Sequence, residues 1–411
     1  MKKLLSLLVL MSFIACTSED ETLEKKSQNK AIQNVSAIRS FDEALQIAQN
    51  SISMLDGKEA TRAAKPRTID MKANKVVKAK GTRATADKDT LMYVFNFGDN
   101  QGFTIVAAPQ NVEPLIAVTE KGSYDPDVPS DIDGFNDFME NAKKYVGNRF
   151  GPGPDLPIIH GYDIFDWQYF QKGPFLTVNW GEFYPEGEFC SNGIAGCMNT
   201  AIAQLMSYYE TPTSVDLTYP NADISTQTLN WTQMKAHQTG HAVGGCTTTD
   251  VHQSIGRLLR QIGYYTQTNY YNNQTSTLLI NFPSGFLNLG YTSSGINSYD
   301  TVQVINQINA HHPIIMSGGG GAWVTDGYKL TKTIVMHYER VAANINEYVL
   351  ESITEYDHYY YHFNWGWYGD CNGYFAKNVF DSQAATWYDG TSNNPHNFGT
   401  SISVMTMYPI P

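Results

Sequence analysis

Cys197 has the strongest claim to chemistry in this 411-residue chain. It follows Gly196 and opens a stretch running to Tyr209 in which Ile202, Leu205, Met206 and Tyr209 recur at the spacing of one helical face. A thiol in the first turn of a helix feels the positive end of the macrodipole, which favours thiolate over thiol. That is the setting of a nucleophile. It is equally the setting of a small core cysteine, which packs like a hydrophobe, and position alone leaves both readings open.

Other chemistries find less support. The run Gly318–Gly321 is not followed by Lys-Ser or Lys-Thr, so it is not a phosphate loop. His241, Cys246, Asp250 and His252 are metal-capable types whose spacing fits no zinc pattern. No carboxylate pair carries a signature, and no cofactor or metal is expected. Asp326 reads as support for the turn before Gly327. The four cysteines after Cys16 (Cys190, Cys197, Cys246, Cys371) allow three pairings in an exported protein. A functional Cys197 must stay free, which leaves at most one bridge among the others.

The elements that would position Cys197 follow from pattern. Hydrophobic residues make up 42% of the chain and charged ones 17%, a globular balance with length enough for two or three domains. A net charge of -12 argues against a nucleic-acid partner. Lys2-Lys3 and the apolar run Leu4 to Ala15 are too short to span a bilayer and read as a signal peptide over residues 1–16. Phe13-Ile14-Ala15-Cys16 resembles a bacterial lipobox, with Phe13 in a place that usually holds an aliphatic residue. Cys16 would then be lipidated and anchor the protein to a membrane. The following Ser18-Glu19-Asp20-Glu21 resembles the tags of Bacteroides-type surface lipoproteins. Export to the outer membrane or cell surface is expected, or else secretion after cleavage nearby.

Residues 17–34 read as a flexible linker. Ser40 and Glu43 then form a capping box ahead of a short helix. Residues 58–88 carry ten Lys or Arg and are expected to be an exposed, protease-sensitive loop. Leu91, Tyr93, Phe95 and Phe97 alternate as a strand; Phe103 to Ala107 returns, and Pro114 to Val118 makes a third. Phe135, Phe138, Met139, Ala142 and Tyr145 mark an amphipathic helix, and Gly151-Pro152-Gly153-Pro154 ends it. A small, separate α+β domain is therefore predicted at 35–150. The larger domain, 151–411, has helices at Cys197–Tyr209, Val251–Ile262 and Val302–Asn309, then strands including Ile314–Met316, Ala322–Val324, Thr333–Met336 and Tyr359–Phe363. Helices first and strands later give an α+β domain.

Pro174 to Trp180, Gly196-Cys197 with its helix, Gly320 to Tyr328, and His362-Phe363-Asn364-Trp365-Gly366-Trp367 occur in the order and style of the streptopain family of papain-like cysteine peptidases. Phe95-Asn96-Phe97-Gly98 with Gly102-Phe103-Thr104-Ile105-Val106 is similar to the hairpin of that family's propeptide. The resemblance covers roughly residues 35–411. It implies a papain-like α+β peptidase domain behind an inhibitory propeptide domain, and protein or peptide substrates cut by Cys197. It also implies that Asn364 and Trp365 orient and shield a catalytic histidine.

That histidine is missing. The family pattern Gly-His-Ala, an apolar residue and Asp-Gly stands here as Gly320-Gly321-Ala322-Trp323-Val324-Thr325-Asp326-Gly327, with Gly321 in the imidazole's place. Glu182, in Trp180-Gly181-Glu182, occupies the place of the family's oxyanion-donating glutamine. An ionised carboxylate only accepts hydrogen bonds and would repel both thiolate and oxyanion. General acid–base help is worth about 10²–10⁴ in rate, and one oxyanion donor about 3–4 kcal/mol, so either loss alone makes a poor peptidase. His311 and His312 sit before Pro313 in a turn, and His337 follows a strand. His362, on the sheet face of Asn364, is the first substitute to examine. The competing reading is a non-catalytic surface protein that keeps the fold and a peptide- or protein-binding groove.

Overall fold

The computed structural model of the chain describes residues 38–56, 66–79, 89–110, 112–147, 159–237, 249–272, 274–342, 345–380 and 402–411. Cys16, the leader, the 17–34 linker, His241 and Cys246 lie outside them. The chain divides into two compact units. One takes in residues 159–165 and 333–356 among those described, the outer reaches of long strands. The other comprises 36–153, 166–332 and 357–411 and contains the candidate site.

The N-terminal part of that larger unit is built on strands β1 (Lys75–Lys78), β2 (Thr90–Asn96), β3 (Phe103–Ala107) and β4 (Leu115–Thr119), with helices α1 (Phe41–Asp56) and α2 (Asp133–Gly147). The capping box closes as expected: the Glu43 N–H donates to Ser40 Oγ at 3.3 Å, and the Ser40 N–H to Glu43 Oε2 at 2.7 Å. Strand β2 is buried along both faces because a helix lies on each. Tyr93 and Phe95 pack with Ala44 and Ala48 of α1, while Met92 and Val94 join the core that holds Phe135 and Phe138 of α2. The basic segment is not wholly a loop, since β1 pairs with β2 and buries Val77.

The C-terminal part supplies β5 (Ile159–Lys172), α3 (Cys197–Tyr209), α4 (Thr249–Tyr265), β6 (Ile296–Ser298), α5 (Thr301–Asn309), β7 (Ile314–Gly318), β8 (Gly321–Ala342), β9 (Ile345–Asn364), β10 (Gly373–Ala376) and β11 (Ser403–Met405), with shorter pieces between. The two strands expected at Ala322–Val324 and Thr333–Met336 are one. Asp300 caps α5 by accepting from the Val302 and Gln303 N–H groups. Strands β7 and β8 form a hairpin through Gly319 and Gly320, both at positive φ (58° and 89°), as a tight two-residue turn requires.

The two parts share one sheet, because β4 pairs antiparallel with β10. Its order is β1-β2-β3-β4-β10-β9-β8-β7-β11-β6, with β5 added against β8. Side chains alternate along β7 and β8 between two cores. Ile315, Ala322 and Val324 pack with Ile202, Leu205 and Met206 of α3, whereas Ile314, Met316 and Trp323 pack with α2. Joining makes physical sense: α2 has a broad apolar face, and the aromatic side of β8–β10 is what it buries against.

Candidate active site

Helix α3 presents Cys197 in its first turn, after Gly196, which sits at φ 93°. Cys197 is free, as are Cys190 and Cys371, so none of these three is bridged. The Ala322 and Met198 backbone N–H groups both donate to the Cys197 sulfur. The first of these fixes the thiol against the start of β8, immediately beside Gly321, so the structure brings those two positions together.

The thiol is nevertheless not activated. Burial, and next the negative charge of Glu182, push its pKa up to about 12, and the two backbone donors offset this only in part. The helix dipole is worth about 0.3–1 kcal/mol, less than the ~1.4 kcal/mol that moves a pKa by one. Burial wins, and the sulfur is held as a thiol at neutral pH. The groups that set the state of this sulfur are Glu182, Asp133, and the Ala322 and Met198 amides. Among the described residues, no histidine is one of them.

Gly321 has an ordinary extended backbone, so a side chain there would not be strained by φ. Space is what excludes one. A Cβ on Gly321 would lie 2.7 Å from the Gly134 nitrogen and 2.8 Å from its Cα. The first turn of α2 therefore occupies the space beside Gly321, and with it comes Asp133. Glu182 feels this neighbour: burial, then the Asp133 charge, raise its pKa to about 7. Glu182 is therefore harder to ionise than an ordinary glutamate.

Asn364 and Trp365 lie where β9 ends. The Asn364 side-chain amide donates to the Val178 carbonyl at 2.8 Å, and its oxygen accepts from Gln204 of α3 at 3.1 Å and from the Gly366 N–H at 3.1 Å. It ties the helix to the sheet, and none of these partners is an imidazole. Trp365 is fully buried, its ring 5.0 Å from that of Trp323 and 6.3 Å from that of Phe135, and its indole N–H donates to the Cys371 carbonyl. It works as core.

His362 is not a substitute base. Its Nδ1 is 2.6 Å from Asp326 Oδ1, and its Nε2 is 3.4 Å from Glu120 Oε1. Burial alone would pull its pKa down, but the charge of Asp326, the hydrogen bond to it and the nearby Glu120 carboxylate raise it to about 10. It is an imidazolium clamped between two acids. Asp326 is structural as expected: its other oxygen accepts from the Phe175 and Leu176 N–H groups at 3.0 and 2.8 Å. Among the described residues, no group of three or more His, Cys, Asp or Glu side chains is arranged to hold a metal.

Sequence reasoning missed Asp133, Gly134 and Glu120, all from the N-terminal part. A glycine one residue ahead of the apolar face of an amphipathic helix was the available signal, because it weakens the helix and so hints at a close approach.

Comparison with known proteins gives two family matches: the Peptidase C10 family over residues 176–375 and Spi protease inhibitor over residues 30–146. The thiol protease/hemagglutinin PrtT of Porphyromonas gingivalis is 21% identical over 343 residues, covering 73% of this chain and 35% of PrtT. Streptopain of Streptococcus pyogenes is 24% identical over 333 residues, covering 71% of this chain and 75% of streptopain. The chain thus spans about a third of the length of the first relative and three quarters of the second. Two solved structures from Prevotella intermedia also match at 20% identity. A prointerpain A fragment covers 81% of this chain and 98% of its own, with a TM-score of 0.49; active interpain A covers 58% and 95%, with a TM-score of 0.35.

Proposed function

Starting from the chain's membership of the peptidase C10 (streptopain) family, with a Spi-type propeptide domain ahead of an α+β, papain-like peptidase domain, we propose that this member is catalytically silent. It keeps the zymogen organisation of its family and the nucleophile Cys197, but it does not turn over peptide bonds. The observation that carries this reading is the pairing of Gly321 with Gly134: the imidazole's place holds backbone instead of a base. Two further features support it. The Cys197 thiol is held protonated, and His362 is committed to Asp326 and Glu120.

An acyl transfer by cysteine needs a thiolate, a proton donor for the leaving amine and donors for the oxyanion. Here the first is suppressed by burial, the second is absent, and the third is a carboxyl. We further propose that the chain is exported and anchored through Cys16, as a surface protein acting through protein contacts rather than hydrolysis. The lipobox-like Phe13-Ile14-Ala15-Cys16 supports this, and mass spectrometry of the native protein should find a lipidated cysteine as its N-terminus; a soluble form beginning elsewhere refutes it.

The test of silence is paired. Wild type and Cys197→Ala should show the same background against casein, with and without the propeptide domain. Robust wild-type turnover abolished by Cys197→Ala would overturn the reading.

A further inference from the structure

We infer that residues 36–147 are a permanent half of this protein and not a removable propeptide: helix α2 is built into the place of the missing imidazole, and the two halves stay bound when the chain between them is cut. The inference rests on the reading of the site given above and extends it, since a silent peptidase could still shed its propeptide.

The contact is backbone on backbone. A side chain on Gly321 would strike Gly134, and a side chain on Gly134 would lie 2.7 and 3.0 Å from atoms of the Trp365 ring and 3.2 Å from Trp323. Only glycine on both sides allows this approach. The neighbouring turn repeats the arrangement, because a Cβ on Gly319 would fall within 2.2–2.6 Å of the Asp137 side chain, one helical turn further along α2. The Gly318–Gly321 run, which serves no phosphate, thus has a physical use: it forms a hairpin with a flat tip on which α2 lies. On the sheet edge, a Cβ on Gly373 would sit 2.3 Å from the Val118 carbonyl oxygen. Three peptidase glycines, two in the hairpin and one on the sheet edge, come up against atoms of the N-terminal half.

Removal would also leave surfaces that a folded peptidase domain does not tolerate well. Phe138 packs on Phe375 at 4.9 Å and on Phe380 at 5.5 Å, and Phe135 packs on Trp365 at 6.3 Å and Phe375 at 6.4 Å. Losing α2 bares a contiguous aromatic face. Losing β4 turns β10, an interior strand paired at Gly373–Thr119, Tyr374–Val118 and Phe375–Ala117, into an open edge. Polar contacts cross the same boundary: Glu120 to His362 at 3.4 Å, Lys121 to Asp370 at 2.7 Å, and the buried Glu113 to His358 at 3.7 Å and to the Asn378 amide, which donates to it at 3.0 Å.

The experiment cuts after folding, so it does not ask either half to fold alone. A recognition sequence for a specific protease is placed within residues 148–157, the purified protein is cleaved, and the product is followed by size-exclusion chromatography and native mass spectrometry at pH 7. The two fragments should elute as one complex, and Gly134→Trp in the cleaved protein should weaken that complex by at least tenfold. Separation of the 36–147 fragment, whether the rest stays soluble or precipitates, overturns the inference. So does an unchanged complex carrying Gly134→Trp, since the glycine contact would then not hold it. A casein assay on the same sample separates the two readings: fragments that part without activity refute retention alone, and fragments that part with Cys197-dependent activity refute silence as well.

Discussion

The two walls of the cleft differ in what they have kept. The helical wall retains what a nucleophile needs locally: a glycine before it, a helix beneath it and two amides on its sulfur. The sheet wall is built as packing: Gly321 lies against Gly134, Trp365 is core, Asn364 ties helix to strand, and the N-terminal half fills the space. The comparison teaches that a cysteine at a helix N-terminus is not activated by its address. Burial outweighs the dipole, and without a cationic partner the thiol stays protonated.

The largest expected effects lie on the sheet wall. Truncating Phe138→Ala, which touches Phe375 and Phe380, should cost about 3–5 kcal/mol in urea unfolding of the intact protein. Cys197→Ala, on the helical wall, should cost far less. Comparable costs would break the contrast between a wall that holds the fold together and one that merely preserves a site.

Next comes the attempted repair. Gly321→His should not restore activity, and it should destabilise the protein by about 1–3 kcal/mol as an overpacking substitution. The obstacle is Gly134 and not backbone strain. A repaired enzyme of wild-type stability would refute the geometry of that contact.

The third effect depends on pH. The His362 pKa is raised to about 10 in the fold, so its contribution is complete below the unfolded value of about 6.5 and is lost as pH rises through about 10. Lys329 works the other way: burial, partly offset by Glu120, lowers its pKa to about 8, so its penalty fades as pH rises through that value. The difference in melting temperature between wild type and His362→Gln isolates the histidine. It should be largest near pH 6 and shrink towards pH 10; a constant difference would mean that His362 is not held as an imidazolium.

The smallest effect belongs to Glu182→Gln. It removes the charge that helps keep Cys197 protonated, so alkylation of Cys197 near pH 8 should quicken by a few-fold, without peptidase activity. An unchanged rate would remove Glu182 from the account of the thiol.

Much of the fold was legible because apolar periodicity survives in it. Helix α3, α5 and strands β2 to β4 fall within a few residues of where pattern places them. The joining of the two halves was not legible, because strand β10 reads the same whether its edge faces solvent or β4. The site was legible in its losses, since Gly321 and Glu182 stand out against a motif. Its occupant was not: Asp133 and Gly134 lie far away in sequence, and no local pattern says where a helix N-terminus will dock. Nor did the alternation at His362 reveal Glu120, which reaches it from the other half of the sheet.

The central claim is that Cys197 has no base, and its own ionisation tests this most directly. The rate of alkylation of Cys197 in the intact protein can be followed from pH 5 to 10 by mass spectrometry of the peptide that contains it. The account predicts a slow rate that climbs with pH throughout, without a plateau near neutrality and unaffected below pH 8 by His362→Gln. A fast reaction with a plateau at pH 6–8 would show a thiolate stabilised by a partner, and would contradict it.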